Sequence, residues 1–329
     1  MSDHPHMVIT RTPFRMSFAG GGTDLPAFYR TDEGAVTGTA INKYMYIIVN
    51  RRFDRSIRVS YSRTEIVDTV QQVQHPIVRE AMKLTGVTEQ VEIVSIADIP
   101  AQTGLGSSSS FAVGLLNALY AYRGVLRSAE ELAREACALE IDTLGEPIGK
   151  QDQYLAAYGN LRHVRFHPND VVSVEYVLMS PEARGAFQER LLLLSMGRTE
   201  AASTILQEQN ARTQDNRPVL RAMRDLAVHC KGALAAGRLD EVGALLHEGW
   251  ELKKRLANGI SDEVIDGWYE RARKLGALGG KVLGAGGRGF LLLYCAPEYH
   301  KRVLAGLPQL VHTPFAFEPD GTRVIYVGG

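Results

Sequence analysis

Cysteine is scarce in this chain. Its 329 residues contain three, Cys137, Cys230 and Cys295, far apart. That spacing excludes a CxxC site, and an odd number argues against a disulfide framework. Apolar neighbours make all three reduced core cysteines by the usual pattern of burial. Net charge is also missing: 37 basic residues meet 37 acidic ones. A neutral chain offers no electrostatic reason to expect nucleic acid or a membrane surface as partner. No apolar run reaches the roughly 20 residues that span a bilayer. The start, "MSDHPHMVIT", lacks a basic-then-apolar signal pattern. These absences lead to the expectation of a cytoplasmic protein. The nine histidines include no HExxH and no paired metal spacing. Composition is compatible with a homodimer and does not decide it.

What the chain does have is glycine in three clusters: "GGGTD" at residues 20–24, "TGLGSSSS" at 103–110 and "GAGGRG" at 284–289. Between them the patterns alternate irregularly. The first 62 residues read mostly as strand, with "MVITRTPFRMSFA", "YMYIIVNRRF" and "SIRVSYS" rich in β-branched and aromatic residues. Residues 76–85 look helical and "QVEIVSIAD" looks like a strand. Phe111, Leu115, Leu116, Leu119 and Tyr120 repeat at helical spacing up to Gly124. "SAEELAREACALEIDTLG" reads as one helix, opened by a Ser128/Glu131 capping box and closed by Gly145. After an irregular stretch, "MSPEARGAFQ", comes a strand, "RLLLLSMG", and then amphipathic helix over residues 200–276. The tail, "GFLLLYCA", "TPFAFEP" and "TRVIYVG", is β-rich. Strands and helices do not alternate strictly, so the expectation is an α+β protein of two domains, 1–180 and 181–329.

The middle cluster carries the chemistry. Gly104 and Gly106 can take positive φ without a Cβ clash, which turns successive N–H groups into an anion-binding nest around Leu105. Ser107, Ser108, Ser109 and Ser110 then begin a helix whose first N–H groups lack internal partners and whose dipole favours an anion. The lysine of the common nucleotide loop, G-x-x-x-x-G-K-[ST], is absent, yet a phosphate can bind here without it. A serine in the first turn can ligate a nucleotide's magnesium ion. Four serines in a row form helix poorly where one cap suffices, which favours a functional reading over a plain Gly/Ser turn. Downstream, Glu140 and Asp152 are the candidate carboxylates. A kinase uses one for magnesium and often a second beside the attacking hydroxyl. Either could instead be an ordinary helix-terminus carboxylate. Lys150, two residues before Asp152, is either a charge-neutralising partner of the transferred phosphoryl group or a surface lysine. The third cluster matches G-x-G-x-x-G literally, but a strand-like run follows where a dinucleotide site needs a helix. Its glycines suit close backbone approach to a ligand or another loop.

Taken in order, "TPFRMSFAGGGTD", "IPAQTGLGSSSSF" and "KVLGAGGRGF" resemble the three motifs of the GHMP kinases, the family of galactokinase, homoserine kinase and mevalonate kinase. The resemblance spans nearly the whole chain. It implies two α+β domains with ATP and substrate in the cleft between them. It also implies that the loop holds the ATP phosphates, that Ser108 and Glu140 ligate magnesium, and that Asp152 sits beside the attacking hydroxyl with Arg15 near it. Asp24 takes the place of an aspartate that binds sugar hydroxyls. With Gly21, Gly22, Thr23, Arg198, Gly286 and Gly287 it makes up the implied substrate set. Two departures stand out. Gly21 and Gly22 replace an acidic residue and a histidine that usually precede Thr-Asp, and the loop before Asp152 is one residue longer than in mevalonate kinase. Within the family, "PFRMSFAGGGTDLPAFY" most resembles kinases of D-glycero-D-manno-heptose 7-phosphate, which act on the anomeric hydroxyl on the route to GDP-activated heptose. Fucokinase-like enzymes share part of the pattern. A sugar phosphate needs cations, for which Arg30, Lys43, Lys150 and Arg198 are candidates. Two other readings are a kinase of a non-sugar alcohol and a nucleotide or sugar-phosphate binding module without chemistry.

Overall fold

The computed structural model describes residues 5–100, 102–197 and 203–329. Among these, the strands in chain order are β1 (Met7–Ala19), β2 (Gly34–Arg51), β3 (Ile57–Ser60), β4 (Thr64–Val67), β5 (Val91–Ala97), β6 (Leu161–Phe166), β7 (Val172–Tyr176), β8 (Leu191–Ser195), β9 (Ala277–Val282), β10 (Phe290–Cys295), β11 (Val311–His312) and β12 (Arg323–Gly328). The helices are α1 (Pro26–Tyr29), α2 (Pro76–Thr85), α3 (Ser107–Tyr122), α4 (Ala129–Cys137), α5 (Gln151–Tyr158), α6 (Pro181–Glu189), α7 (Ser203–Ala211), α8 (Arg217–Ala235), α9 (Leu239–Lys253), α10 (Glu263–Lys274) and α11 (His300–Gly306). The fold is α+β.

One sheet runs β12-β1-β2-β5-β3-β4, with β6 and β7 continuing from β2. β2 serves two directions: Gly34–Thr39 pairs with β6 and Met45–Arg51 pairs with β5. The break between them coincides with a register shift at Pro13/Phe14 on β1. Proline has no N–H for a ladder, and such bulges re-aim the side chains that follow. Arg15 is the second residue past this one. The second sheet, β11-β8-β10-β9, is short. Its middle strand β10 is buried on both faces, which explains its unbroken apolar run. The last strand, β12, returns to pair with β1 in the first sheet, so the end of the chain packs with its beginning.

α3 lies against β1 and β2 and is buried over its length, with Ser108 as its one exposed residue. A helix apolar all round must be enclosed. The Ser128 capping box is present. The helix expected to run on to Gly145 does not continue regularly: α4 ends at Cys137 and a π-helical stretch, Ala138–Thr143, follows. Two other expectations change. "MSPEARGAFQ" contains α6, capped by Ser180, because Pro181 is favourable in a first helical turn. "TPFAFEP" forms one isolated bridge, Ile41 to Phe317, in place of a strand.

Candidate active site

The second glycine cluster lies between the two sheets. Gly104 and Gly106 have φ of +82° and +77°. Close approach requires glycine at Gly104 as well: a Cβ there would come within 2.6 Å of the Leu283 carbonyl oxygen, and one on Gly284 within 2.5 Å of the Gly104 Cα. The second and third clusters are thus backbone packed on backbone. Gly106 precedes α3, and Ser107, Ser108 and Ser109 face a cavity of about 800 Å³ together with Gly104 and Gly106. Leu105 and Ser110 stay outside the cavity and hold the loop. The Leu105 carbonyl accepts the Arg15 N–H at 3.1 Å, and Ser110 Oγ donates to the Pro13 carbonyl at 2.9 Å.

Arg15 and Asp152 meet in this cavity. Arg15 Nε donates to Asp152 Oδ1 at 2.6 Å, Nη2 to Oδ2 at 2.5 Å, and Nη1 to the Gly104 carbonyl at 2.8 Å. One guanidinium therefore ties the carboxylate to the loop. The pair is fork-on-fork, the strongest geometry for these groups. Asp152 occupies the first turn of α5, where the helix dipole also favours its charge.

Glu140 lies on the π-helical stretch, a geometry that recurs at functional sites. It is 1% exposed. Its Oε1 accepts from Ser108 Oγ at 2.7 Å and its Oε2 from Gln153 Nε2 at 2.7 Å. Burial pushes its carboxyl up to about 7, against the lowering effect of those donors. Its hydrogen-bond partners are neutral. A buried carboxylate and a hydroxyl facing a phosphate-sized space make an oxygen pair suited to a hard cation. Among the described residues no group of three or more acidic, histidine or cysteine side chains could hold a metal ion, so most ligands of such a cation would come from phosphate and water.

The first glycine cluster lines the cavity through Gly21, Gly22 and Asp24. Asp24 is buried and accepts from the Gly22 N–H at 2.9 Å, the Gln151 N–H at 3.1 Å and Gln151 Nε2 at 3.1 Å. Burial raises its pKa, and the Asp152 charge adds to that. Thr23 turns away: its hydroxyl bonds the backbone of Gly20 and Ala35. Gly286 and Gly287 pack against the 259–260 turn, leaving Gly284 and Ala285 at the cavity.

Lys150 also turns away from Asp152. Its ammonium meets Asp170 at 3.0 Å and lies 4.6 Å from the Tyr29 ring, in a separate cavity of about 460 Å³ that also contains Arg30. The reason is local. Lys150 precedes α5, and its N–H bonds the Asp24 carbonyl, which aims the side chain to the opposite side of the segment. Lys43 lines neither cavity. Arg198 lies outside the described residues.

Two site residues escaped the sequence reading. Lys253 and Lys281 line the main cavity, 6% and 5% exposed. A signal existed for each. Lys253 continues the buried stripe Val242, Leu246, Trp250 of α9 at helical spacing. Lys281 interrupts the buried strand β9. An aromatic group also went unread: His75 stacks on Phe111 at 4.9 Å and meets the Tyr61 ring at 4.8 Å, and all three line the cavity. His75 Nδ1 is buried and has no hydrogen-bond partner among the described residues.

Comparison with known proteins gives the lineage. The model of the GHMP kinases N terminal domain matches residues 63–160, and that of the GHMP kinases C terminal region matches residues 230–309. A D-glycero-alpha-D-manno-heptose 7-phosphate kinase from Campylobacter jejuni is 25% identical over 95% of this chain and 97% of its own. A bifunctional fucokinase/GDP-fucose pyrophosphorylase from Arabidopsis thaliana is 25% identical over 88% of this chain, which spans 30% of that longer protein. The crystal structure of a D-glycero-D-manno-heptose 1-phosphate kinase from Bacteroides thetaiotaomicron superposes with a TM-score of 0.81 at 24% identity, covering 98% of this chain and all of its own. The chain belongs to the GHMP kinases, ATP-dependent phosphotransferases with a hydroxyl group as acceptor.

Proposed function

We propose that this enzyme is a sugar kinase that transfers the γ-phosphoryl group of ATP to the anomeric hydroxyl of D-glycero-D-manno-heptose 7-phosphate. The observation that carries the chemistry is the placement of the Arg15–Asp152 pair and the Ser108–Glu140 pair around one helix start. The substrate reading rests on the first glycine cluster and on the Campylobacter relative, which aligns from end to end.

Each residue then has a task. The N–H groups after Gly106 and the start of α3 take the ATP phosphates, a preorganised field that needs no rearrangement during transfer. The base lies toward His75, Phe111 and Tyr61. Ser108 and Glu140 would hold magnesium, which would supply positive charge to neutralise the phosphates. Asp24 and Gln151 bind sugar hydroxyls beneath Gly21 and Gly22. Asp152 accepts a hydrogen bond from the acceptor hydroxyl and points its oxygen at the γ-phosphorus. The new P–O bond forms as the bond to the β-phosphate oxygen breaks, ADP leaves, and the hydroxyl proton passes to Asp152. With both oxygens on Arg15, Asp152 is held in one position, so its larger effect is orientation.

The test is ADP release with ATP and magnesium across a panel of D-glycero-D-manno-heptose 7-phosphate, mannose, fucose, galactose and mevalonate. Turnover with the heptose phosphate alone is expected. Preference for fucose would move the enzyme to the fucokinase-like branch, and preference for mevalonate would remove the sugar. No ADP with any of them would favour a binding module.

A further inference from the structure

Lys253 and Lys281 form an unexplained feature of the main cavity. Both are buried and both line it, and besides burial the Lys281 charge disfavours that of Lys253 while the Arg15 charge disfavours both. Lys253 Nζ donates to the carbonyls of Val282 at 2.9 Å and Gly284 at 2.5 Å. Among the described residues Lys281 Nζ reaches only the Phe18 carbonyl, at 3.5 Å. An ammonium has three donors, so at least three remain between them. Among the described residues neither lysine has a carboxylate partner. The nearby acid, Asp24, already accepts three N–H donors. Buried cations without a counter-charge are costly, and burial accordingly lowers both lysines, Lys281 to about 8. By contrast Arg30 and Lys150 are already paired with Asp170, at 3.4 and 3.0 Å.

We propose that Lys253 and Lys281 form a subsite for a phosphomonoester dianion carried by the acceptor, so that the substrate supplies the direct ion-pair partner that the described residues do not. The inference rests on the reading of this cavity as the acceptor site and names the cations that grip an acceptor already phosphorylated. Two lysines match two negative charges. Selectivity follows by subtraction: an unphosphorylated sugar leaves both ammonium groups buried and unpaired, which is penalised more than a missing contact alone.

The experiment compares wild type with Lys281→Met and Lys281→Arg. With heptose 7-phosphate, Lys281→Met should raise the acceptor KM about 10- to 100-fold, the range for losing a charged hydrogen bond, with the ATP KM unchanged. Lys281→Arg should recover part of it. A second readout needs no turnover. With ADP and magnesium filling the nucleotide loop, inorganic phosphate should raise the Tm of wild type and leave that of Lys281→Met unmoved. Ligand-free Lys281→Met should melt higher than wild type, because a strained charge is gone; a structural strut would give the reverse. Equal protection of both proteins by phosphate, or an unchanged acceptor KM, overturns the subsite. If heptose 7-phosphate is not turned over but phosphate protection still depends on Lys281, the subsite stands and only the sugar is wrong.

Discussion

Asp152 and Glu140 flank the same helix start, yet their surroundings are opposite. Asp152 has a guanidinium on both oxygens. Glu140 has a hydroxyl and an amide. Neutral donors in a buried pocket leave it poised near neutrality until a cation arrives. One carboxylate is thus fixed by a cation of the protein itself, whereas the other has only neutral partners and, on the proposed reading, would meet its counter-charge in the nucleotide's metal.

The largest way to break that contrast is Asp152→Asn, which keeps the shape and removes the charge. Turnover should fall roughly 10²- to 10⁴-fold with the ATP KM little altered in steady-state kinetics. Retained activity would remove Asp152 from the chemistry. Next comes Glu140→Gln. The magnesium concentration for half activity should rise at least about tenfold. The ligand-free protein should gain up to about 3 kcal/mol at pH 8, measured by denaturant unfolding, since a carboxyl raised to about 7 from 4.5 is a buried charge no longer maintained. The sign follows from linkage: the folded state holds this proton more tightly, so the cost of Glu140 is absent below pH 4.5 and complete above 7. With magnesium on Glu140 as proposed, protons would compete with it there in the wild type. Apparent magnesium affinity should therefore weaken as pH falls through about 7, and in Glu140→Gln that trend should flatten. Smaller still is Gly106→Ala. A Cβ there would lie 3.2 Å from both Arg15 Cγ and Asp152 Oδ2 at a φ of +77°, a strain of about 1–3 kcal/mol that should lower Tm. The smallest effect belongs to Lys150→Met. Its pair with the half-exposed Asp170 contributes about 1 kcal/mol and lies away from Asp152, so turnover should stay near wild type.

Much of the candidate site was legible because its parts are local. Gly104 to Ser110 announce a loop and a helix start within seven residues, and Ser128 with Glu131 announces a cap. Thr23, Gly286 and Gly287 were misread because a motif names a segment, whereas burial decides which of its atoms face a ligand. Lys150 was misread for a related reason: it lies two residues from Asp152 in the chain and faces the other side of it. Lys253 and Lys281 were passed over because a lysine is ordinarily a surface residue, and only packing shows that these two are buried.

The sequence by itself determined the α+β class, the family and the order of the three glycine clusters, since each depends on backbone preferences spanning a few residues. Only the tertiary structure decided that β12 closes the first sheet beside β1, that Gly104 lies on Gly284, that Arg15 reaches Asp152 across 137 positions, and that two lysines share one cavity. Those are contacts between distant segments. Their energies come from burial and from what is excluded with it, and neither is a property of any short stretch of chain.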